Sequence, residues 1–196
     1  FARQDVKVIL SGVGGDELFG GYRRYLGEHY AQRYSRFPGW LRSSVASIAG
    51  RLPADRHSGL LNTFRLAKGF LASAELSADE RYRSYLQVLD QHCVSQLLMH
   101  PDVTATDPLV AAFAEAPNED ALNRMFAVDA QTQLPDDLLM LTDKMSMAVS
   151  LECRVPLLDH QLVELAAAMP AEIKVRGGRL KHVLKESLSD LLPADI

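Results

Sequence analysis

The chain has 196 residues, 47% of them apolar and 23% charged, the proportions of a soluble globular protein long enough to bury one real core. A formal net charge of −4 gives no support to general nucleic-acid binding, and no apolar run approaches the length of a membrane span. The two cysteines, Cys93 and Cys153, have no paired spacing, which excludes a cysteine-rich zinc module and fits a reducing, cytoplasmic compartment.

Phe1 is neither a plausible translation start nor part of a signal peptide, so the sequence reads as one partial domain, residues 1–196, of a longer protein. Val6 to Leu10 is the one convincing strand. Its continuous apolar run suits a buried position in a parallel sheet, and with no second run of that quality its neighbours are expected upstream. The remainder reads as mainly helical. Asp16 to about Phe37 carries Leu18, Phe19, Tyr22, Tyr25, Leu26 and Tyr30 at helical spacing. Gly20-Gly21 inside that run costs roughly 1 kcal/mol per residue relative to alanine, which close backbone packing or ligand access would have to offset. Pro38-Gly39 breaks the chain, Trp40–Leu52 resumes a short amphipathic pattern, and 53–77 reads as connecting helical turns. Helices are expected at 78–90, 92–99, 108–116 and 118–133, with Pro101–Pro108 a loop. Pro135-Asp136-Asp137 opens another helix, proline being favoured in the first turn. Asp159 is an N-cap for Gln161–Met169, and Gly177-Gly178 precedes a final helix over 179–192.

The densest chemistry lies at Ser11-Gly12-Val13-Gly14-Gly15-Asp16-Glu17-Leu18-Phe19-Gly20-Gly21-Tyr22. A strand, a glycine turn and a helix start together make a common anion site, because small residues admit a ligand to the backbone and first-turn N–H groups point outward. Asp16 and Glu17 would repel a bare phosphate unless a divalent cation lies between, so the pattern suggests a nucleotide or pyrophosphate held with Mg²⁺. The loop lacks the Gly-Lys-Ser/Thr of a Walker A motif, and Glu17 occupies the third glycine position of the dinucleotide fingerprint. A plain strand-to-helix turn, with carboxylates favouring the helix start, fits the local chemistry equally.

A second cluster runs from Leu134-Pro135-Asp136-Asp137 through Thr142-Asp143-Lys144-Met145-Ser146-Met147 to Leu151-Glu152-Cys153-Arg154-Val155-Pro156-Leu157-Leu158-Asp159-His160. Glu152 and Arg154 sit beside Val155 and Leu157, so their charges are expected to be partly buried and paired, as fold staples or as site components. His160 and His182 have no partner at metal spacing and read as surface or helix-end histidines.

These motifs, with Gly177-Gly178-Arg179-Leu180-Lys181-His182-Val183-Leu184-Lys185-Glu186, resemble the synthetase domain of glutamine-hydrolysing asparagine synthetases and occur in the family order from Ser11 to Glu186. The resemblance implies the C-terminal part of an α/β synthetase domain of the adenine-nucleotide α-hydrolase type. It also implies a reaction in which a carboxylate attacks Mg-ATP to give an acyl-adenylate and pyrophosphate, and ammonia from an N-terminal glutaminase displaces AMP. On that basis Ser11, Gly12, Gly14 and Gly15 match nucleotide or adenylate contacts, and Asp16 matches the acidic position associated with Mg²⁺ and pyrophosphate. Lys181 matches a lysine that stabilises charge during adenylation and amide formation; by local chemistry alone it is a solvated helix lysine. Val13, Glu17, Asp137, Asp143, Lys144, Glu152 and Arg154 fall at substrate-side or supporting positions. The implied partners are ATP, aspartate or another carboxylate, and ammonia from glutamine; a homodimeric parent is admitted.

Val13 departs from the family pattern. That position is usually acidic in asparagine-forming enzymes, and valine can neither carry charge nor orient a substrate amine. The departure leaves open a relative acting on another carboxylate, and a helical interaction domain with degenerate motifs is the reading from a different class. The glutaminase nucleophile and the Ser-Gly-Gly-x-Asp-Ser pyrophosphate loop are expected upstream of Phe1.

Overall fold

The computed structural model describes residues 1–51, 59–89, 91–98, 108–117 and 120–191. The chain forms two compact units, one from Phe1–Tyr25 with Thr106–Ile196 and the other from Leu26–Ala105. In the first unit, strand β1 (Val8–Leu10) pairs in parallel with β2 (Glu152–Arg154), Val8 opposite Glu152 and Leu10 opposite Arg154. The ladder is lengthened at both ends: the Glu152 N–H donates to the Lys7 carbonyl at 2.9 Å, and the Ser11 N–H to the Arg154 carbonyl at 2.8 Å. A partner for the first strand therefore lies within the chain, contrary to expectation. Its alternation of charged residues with one cysteine gives β2 no apolar run to betray it. Nor is β1 buried as expected. Side chains alternate across a strand, so Ile9 and Cys153 face the half-covered side, whereas Val8 is 39% and Leu10 72% exposed.

The expected long helix over 16–37 is two helices. α1 (Gly15–Phe19) ends where Gly20 adopts φ +75°, and the Gly20 and Gly21 N–H groups both donate to the Asp16 carbonyl, at 3.0 and 2.9 Å. A left-handed residue just past the last turn is a common helix stop, and glycine adopts it without a Cβ penalty. α2 (Arg23–Tyr34) then begins in the first unit and continues in the second.

In the second unit α3 (Gly39–Arg51) follows Pro38, as the break there predicts. α4 (Gly59–Ala74) is a full helix where connecting turns were expected, because the Pro, Gly, His and Ser before it dilute the pattern; residues 52–58 lie outside the described residues. α5 (Ala78–Leu86) starts at a capping box in which the Ser77 hydroxyl accepts from the Glu80 N–H at 3.3 Å while the Glu80 carboxylate accepts from the Ser77 N–H at 3.0 Å. α6 (Gln91–Leu97) follows, and the expected loop over 101–107 lies outside the described residues.

The first unit resumes with α7 (Pro108–Glu115) and α8 (Ala121–Gln131), the latter capped by Asp120, which accepts from the Leu122 and Asn123 N–H groups. A π-helical segment, Leu134–Leu139, carries Pro135 in its first turn and runs into α9 (Met140–Met147). Beyond β2 come α10 (His160–Ala168), α11 (Ala171–Lys174) and α12 (His182–Ser187). Asp159 caps α10 as predicted, accepting from the Gln161 N–H at 3.0 Å. α12 is shorter than the expected final helix, because Gly177, Gly178 and Lys181 all have positive φ and a helix can start only at His182. Leu18 and Phe19 of α1 bury against Ala166 of α10, with Leu158, Leu162, Val163, Val183 and Leu184 packed around them.

The second unit contains a buried ion pair between Glu28 and Arg81, whose side chains are 1% and 8% exposed. Arg81 also donates to the carbonyls of Ser73, Ala74 and Leu76, closing the carboxyl end of α4. A buried charge left without its partner costs about 3–5 kcal/mol. Glu28→Ala is accordingly expected to lower protection of the α4 and α5 amides by about that amount in native-state hydrogen exchange; unchanged protection would show that the three carbonyls suffice for Arg81.

Candidate functional site

The loop after β1 rests on the turn after β2. Gly14 has φ +92°, and a Cβ built there would lie 2.3 Å from Leu158 Cδ2; one at Gly15 would lie 2.9 Å from Leu157 Cδ1. Glycine at 14 thus meets both a left-handed backbone and a close approach, neither of which a larger residue tolerates. The loop is closed by a hydrogen bond from the Gly15 N–H to the Gly12 carbonyl at 3.3 Å and one from the Val13 N–H to Ser11 Oγ at 3.3 Å. Gly12 is exposed, and Ser11 and Val13 are half-buried.

Lys181 reaches this loop from the far end of the sequence. Its ammonium lies 2.9 Å from Asp16 Oδ1, with the two side chains 29% and 39% exposed. A tight turn at Gly177-Gly178, closed by paired hydrogen bonds between Arg176 and Arg179, reverses the chain ahead of it. The Lys181 N–H then donates to the Gly20 carbonyl at 3.2 Å. Residue 181 itself is left-handed, at φ +52° and ψ +35°, a conformation that costs a non-glycine residue about 1–2 kcal/mol. Gly21 supplies the room: a Cβ there would lie 1.7 Å from Asp16 Oδ1 and 2.4 Å from Lys181 Cε. The Gly20-Gly21 pair is thus both a helix stop and the space the ion pair occupies.

Beneath the loop the charges are buried and fully engaged. Glu17, 1% exposed, accepts from the Tyr22 phenol. Gln133 Nε2 donates to the same phenol oxygen at 3.4 Å, and Gln133 Oε1 accepts from Arg24 Nη2 at 2.5 Å. The Arg24 guanidinium also holds Asp129 through two hydrogen bonds, at 2.7 and 3.3 Å, and stacks over the Tyr22 ring 4.1 Å from its centroid. Tyr25 donates its hydroxyl to Asp129 and packs edge-on against Phe126. Burial, reinforced by the Glu17 carboxylate, pushes the Tyr22 phenol well above its ordinary range, so it stays a neutral donor.

The structure brings together Ser11, Gly12, Val13, Gly14, Gly15, Asp16 and Lys181, and sets Glu17 under them. The other predicted residues are distributed elsewhere. Asp137, on the π-helical segment, and Asp143 and Lys144, on α9, are exposed, and among the described residues no ion pair joins them to Asp16 or Lys181. Glu152 and Arg154 are paired, at 2.7 Å, but with 54% and 64% of their side chains exposed they are not buried as expected. They share one face of the two-stranded sheet with the exposed Val8 and Leu10. Glu152 instead lines a cavity of about 560 Å³ with Arg3, Lys7, Met147 and Ser150. That cavity lies at the entry end of the strands, whereas the loop from Ser11 to Asp16 leaves their exit end. His160 and His182 each open a helix, as predicted.

Sequence reasoning did not find Arg24, Asp129 and Gln133, and Tyr22 read only as part of an apolar helix face. The paired glycines ahead of Tyr22 were the available signal, since a helix interior offers no reason for them.

The asparagine synthase family model matches residues 1–196. A Mycobacterium tuberculosis (strain H37Rv) protein named "Putative asparagine synthetase, glutamine-hydrolyzing" is 34% identical over 197 residues, covering 100% of this chain and 29% of that protein. Two Bacillus subtilis (strain 168) proteins named asparagine synthetase, glutamine-hydrolyzing, 1 and 3, are each 30% identical, covering 100% and 99% of this chain and 30% and 25% of their own lengths. The chain thus spans less than a third of the curated relatives it matches. No solved structure gives a significant match.

The backbone at residue 181 can be tested apart from its charge. Lys181→Ala and Lys181→Gly both lose the ammonium, but only glycine relaxes at positive φ, so the glycine variant is expected to be the more stable by about 1 kcal/mol in urea unfolding. The reverse order would show that the backbone there is unstrained.

Proposed function

The chain belongs to the asparagine synthase family, and on that premise we propose that it carries part of the active site of an ATP-dependent, amide-forming synthetase. A carboxylate, aspartate in the first instance, attacks the α-phosphorus of ATP to give an acyl-adenylate and pyrophosphate, and ammonia drawn from glutamine then displaces AMP to leave the amide. The observation that carries the reading is the Asp16–Lys181 pair, a carboxylate and an ammonium held together at the mouth of a glycine loop, both open to solvent. Lys181 supplies a fixed positive charge where negative charge develops during adenylation and amide formation. Its left-handed backbone, hydrogen-bonded to Gly20, sets the direction of that charge before substrate arrives. In this reading Ser11 and the loop backbone contact the nucleotide.

Asp16 fits Mg²⁺ in one limited sense. Among the described residues no group of three or more acidic, histidine or cysteine side chains converges, so the proposal gives the ion one carboxylate, Asp16. Mg²⁺ commonly binds through one or two carboxylates with the remaining positions filled by phosphate oxygens and water, which suits an ion that arrives with the nucleotide. Asp16 would hold the ion there, and the ion would supply positive charge toward the pyrophosphate.

Val13 favours a second reading of the acceptor. It sits half-buried in the loop where the family pattern is usually acidic and offers no charge to a substrate amine. A carboxylate other than aspartate remains compatible with the same adenylation chemistry.

In the whole protein, Asp16→Asn and Lys181→Ala are each expected to lower ATP-dependent pyrophosphate formation by about 10²-fold or more while glutamine hydrolysis persists. Wild-type pyrophosphate formation in either variant would remove that residue from the proposed site. Comparing pyrophosphate release with aspartate and with other carboxylates separates the two acceptors.

A further inference from the structure

We propose that Tyr22 is a positioning residue for Asp16: its phenol ties the buried Glu17 to Gln133 and so fixes the short helix on which Asp16 faces Lys181. The inference rests on the reading of Asp16 given above. α1 has five residues, too few to hold an orientation by its own hydrogen bonds. Asp16 and Glu17 are neighbours on its first turn and project in different directions, Glu17 inward at 1% exposure and Asp16 outward toward Lys181. Any rotation of α1 that moves one carboxylate moves the other.

The inward carboxylate is held by a phenol with both hydrogen-bonding capacities engaged, donating to Glu17 and accepting from Gln133. The phenol in turn is clamped from its ring face by Arg24, which Asp129 and Gln133 fix from α8 and its C-terminal end. Asp129 is fully buried, so this anchor belongs to the core of the first unit. The outward carboxylate has a slot just large enough, at Gly21. Gln133 also immediately precedes the π-helical segment that bears Asp137, so one side chain braces both motifs.

Tyr22→Phe keeps the ring and its stacking under Arg24 and removes only the oxygen that serves Glu17 and Gln133. In the whole protein it is expected to lower pyrophosphate formation about 10- to 100-fold, the range for a small misplacement of a reacting or charge-bearing group. It is also expected to raise the Mg²⁺ concentration giving half-maximal rate, with glutamine hydrolysis unchanged. The decisive comparison is Tyr22→Phe combined with Asp16→Asn. If Tyr22 acts through Asp16, the double variant is no slower than Asp16→Asn alone, whereas a merely structural loss would multiply.

A crystal structure of Tyr22→Phe gives a readout independent of activity: Asp16 and Lys181 are expected to part beyond 4 Å. An unmoved pair, a wild-type rate, or multiplying losses would each overturn the proposal. If Asp16→Asn itself proves fully active, Asp16 leaves the proposed site, and the crystal structure still decides whether Tyr22 positions it. Should Tyr22→Phe not fold, Gln133→Met removes the donor to the phenol together with an acceptor of Arg24, and is likewise expected to part Asp16 from Lys181.

Discussion

The arrangement depends on a three-residue parallel register, Val8–Leu10 against Glu152–Arg154. It sets the start of the glycine loop against the end of β2, with the Ser11 N–H on the Arg154 carbonyl. The turn that follows β2 then delivers Leu157 and Leu158 beneath Gly15 and Gly14. Two sequence motifs far apart in the chain become floor and wall of one loop. A slip of one residue in that register would turn Glu152 and Arg154 to the opposite face and take both leucines out from under the glycines.

Ion pairs among the described residues divide by depth. Arg24 with Asp129 and Arg81 with Glu28 lie in the two cores, each saturated with further hydrogen bonds, as buried ions must be. Asp16 and Lys181 are half-exposed, and an ion pair in that setting contributes at most about 1 kcal/mol. The fold gains little from them. It nevertheless accommodates a left-handed lysine and two side-chain-free positions, Gly20 and Gly21, to keep them adjacent.

The sequence made the chemical ends of this design legible and left its supports hidden. Asp16 and the loop glycines announce themselves through local composition, because carboxylates beside glycines after an apolar strand are an unusual combination, whereas Lys181 was legible only through the family resemblance. Asp159 and Pro135 were readable for the same reason, as capping and first-turn chemistry is local. β2 was not, since three residues alternating charge and cysteine carry no apolar periodicity. The break after Phe19 was masked because α1 and α2 together imitate one amphipathic stretch, Tyr22 and Tyr25 falling on the expected face. Arg24, Asp129 and Gln133 meet only through tertiary folding, and the glycine pair ahead of Tyr22 is the one nearby mark of the encounter. Glu152 and Arg154 were over-read: flanking Val155 and Leu157 suggested burial, but both side chains are more than half exposed.

The first unit is discontinuous in sequence, its parts lying on either side of Leu26–Ala105. Contacts such as β1 with β2 and Asp16 with Lys181 close long loops, which are the slowest kind to form. During synthesis the inserted unit is complete long before Lys181 leaves the ribosome, while β1 and the glycine loop wait without a partner. The chain therefore brings Asp16 and Lys181 together last, and a polypeptide ending between Ala105 and the final helix would hold the whole inserted segment but lack the lysine.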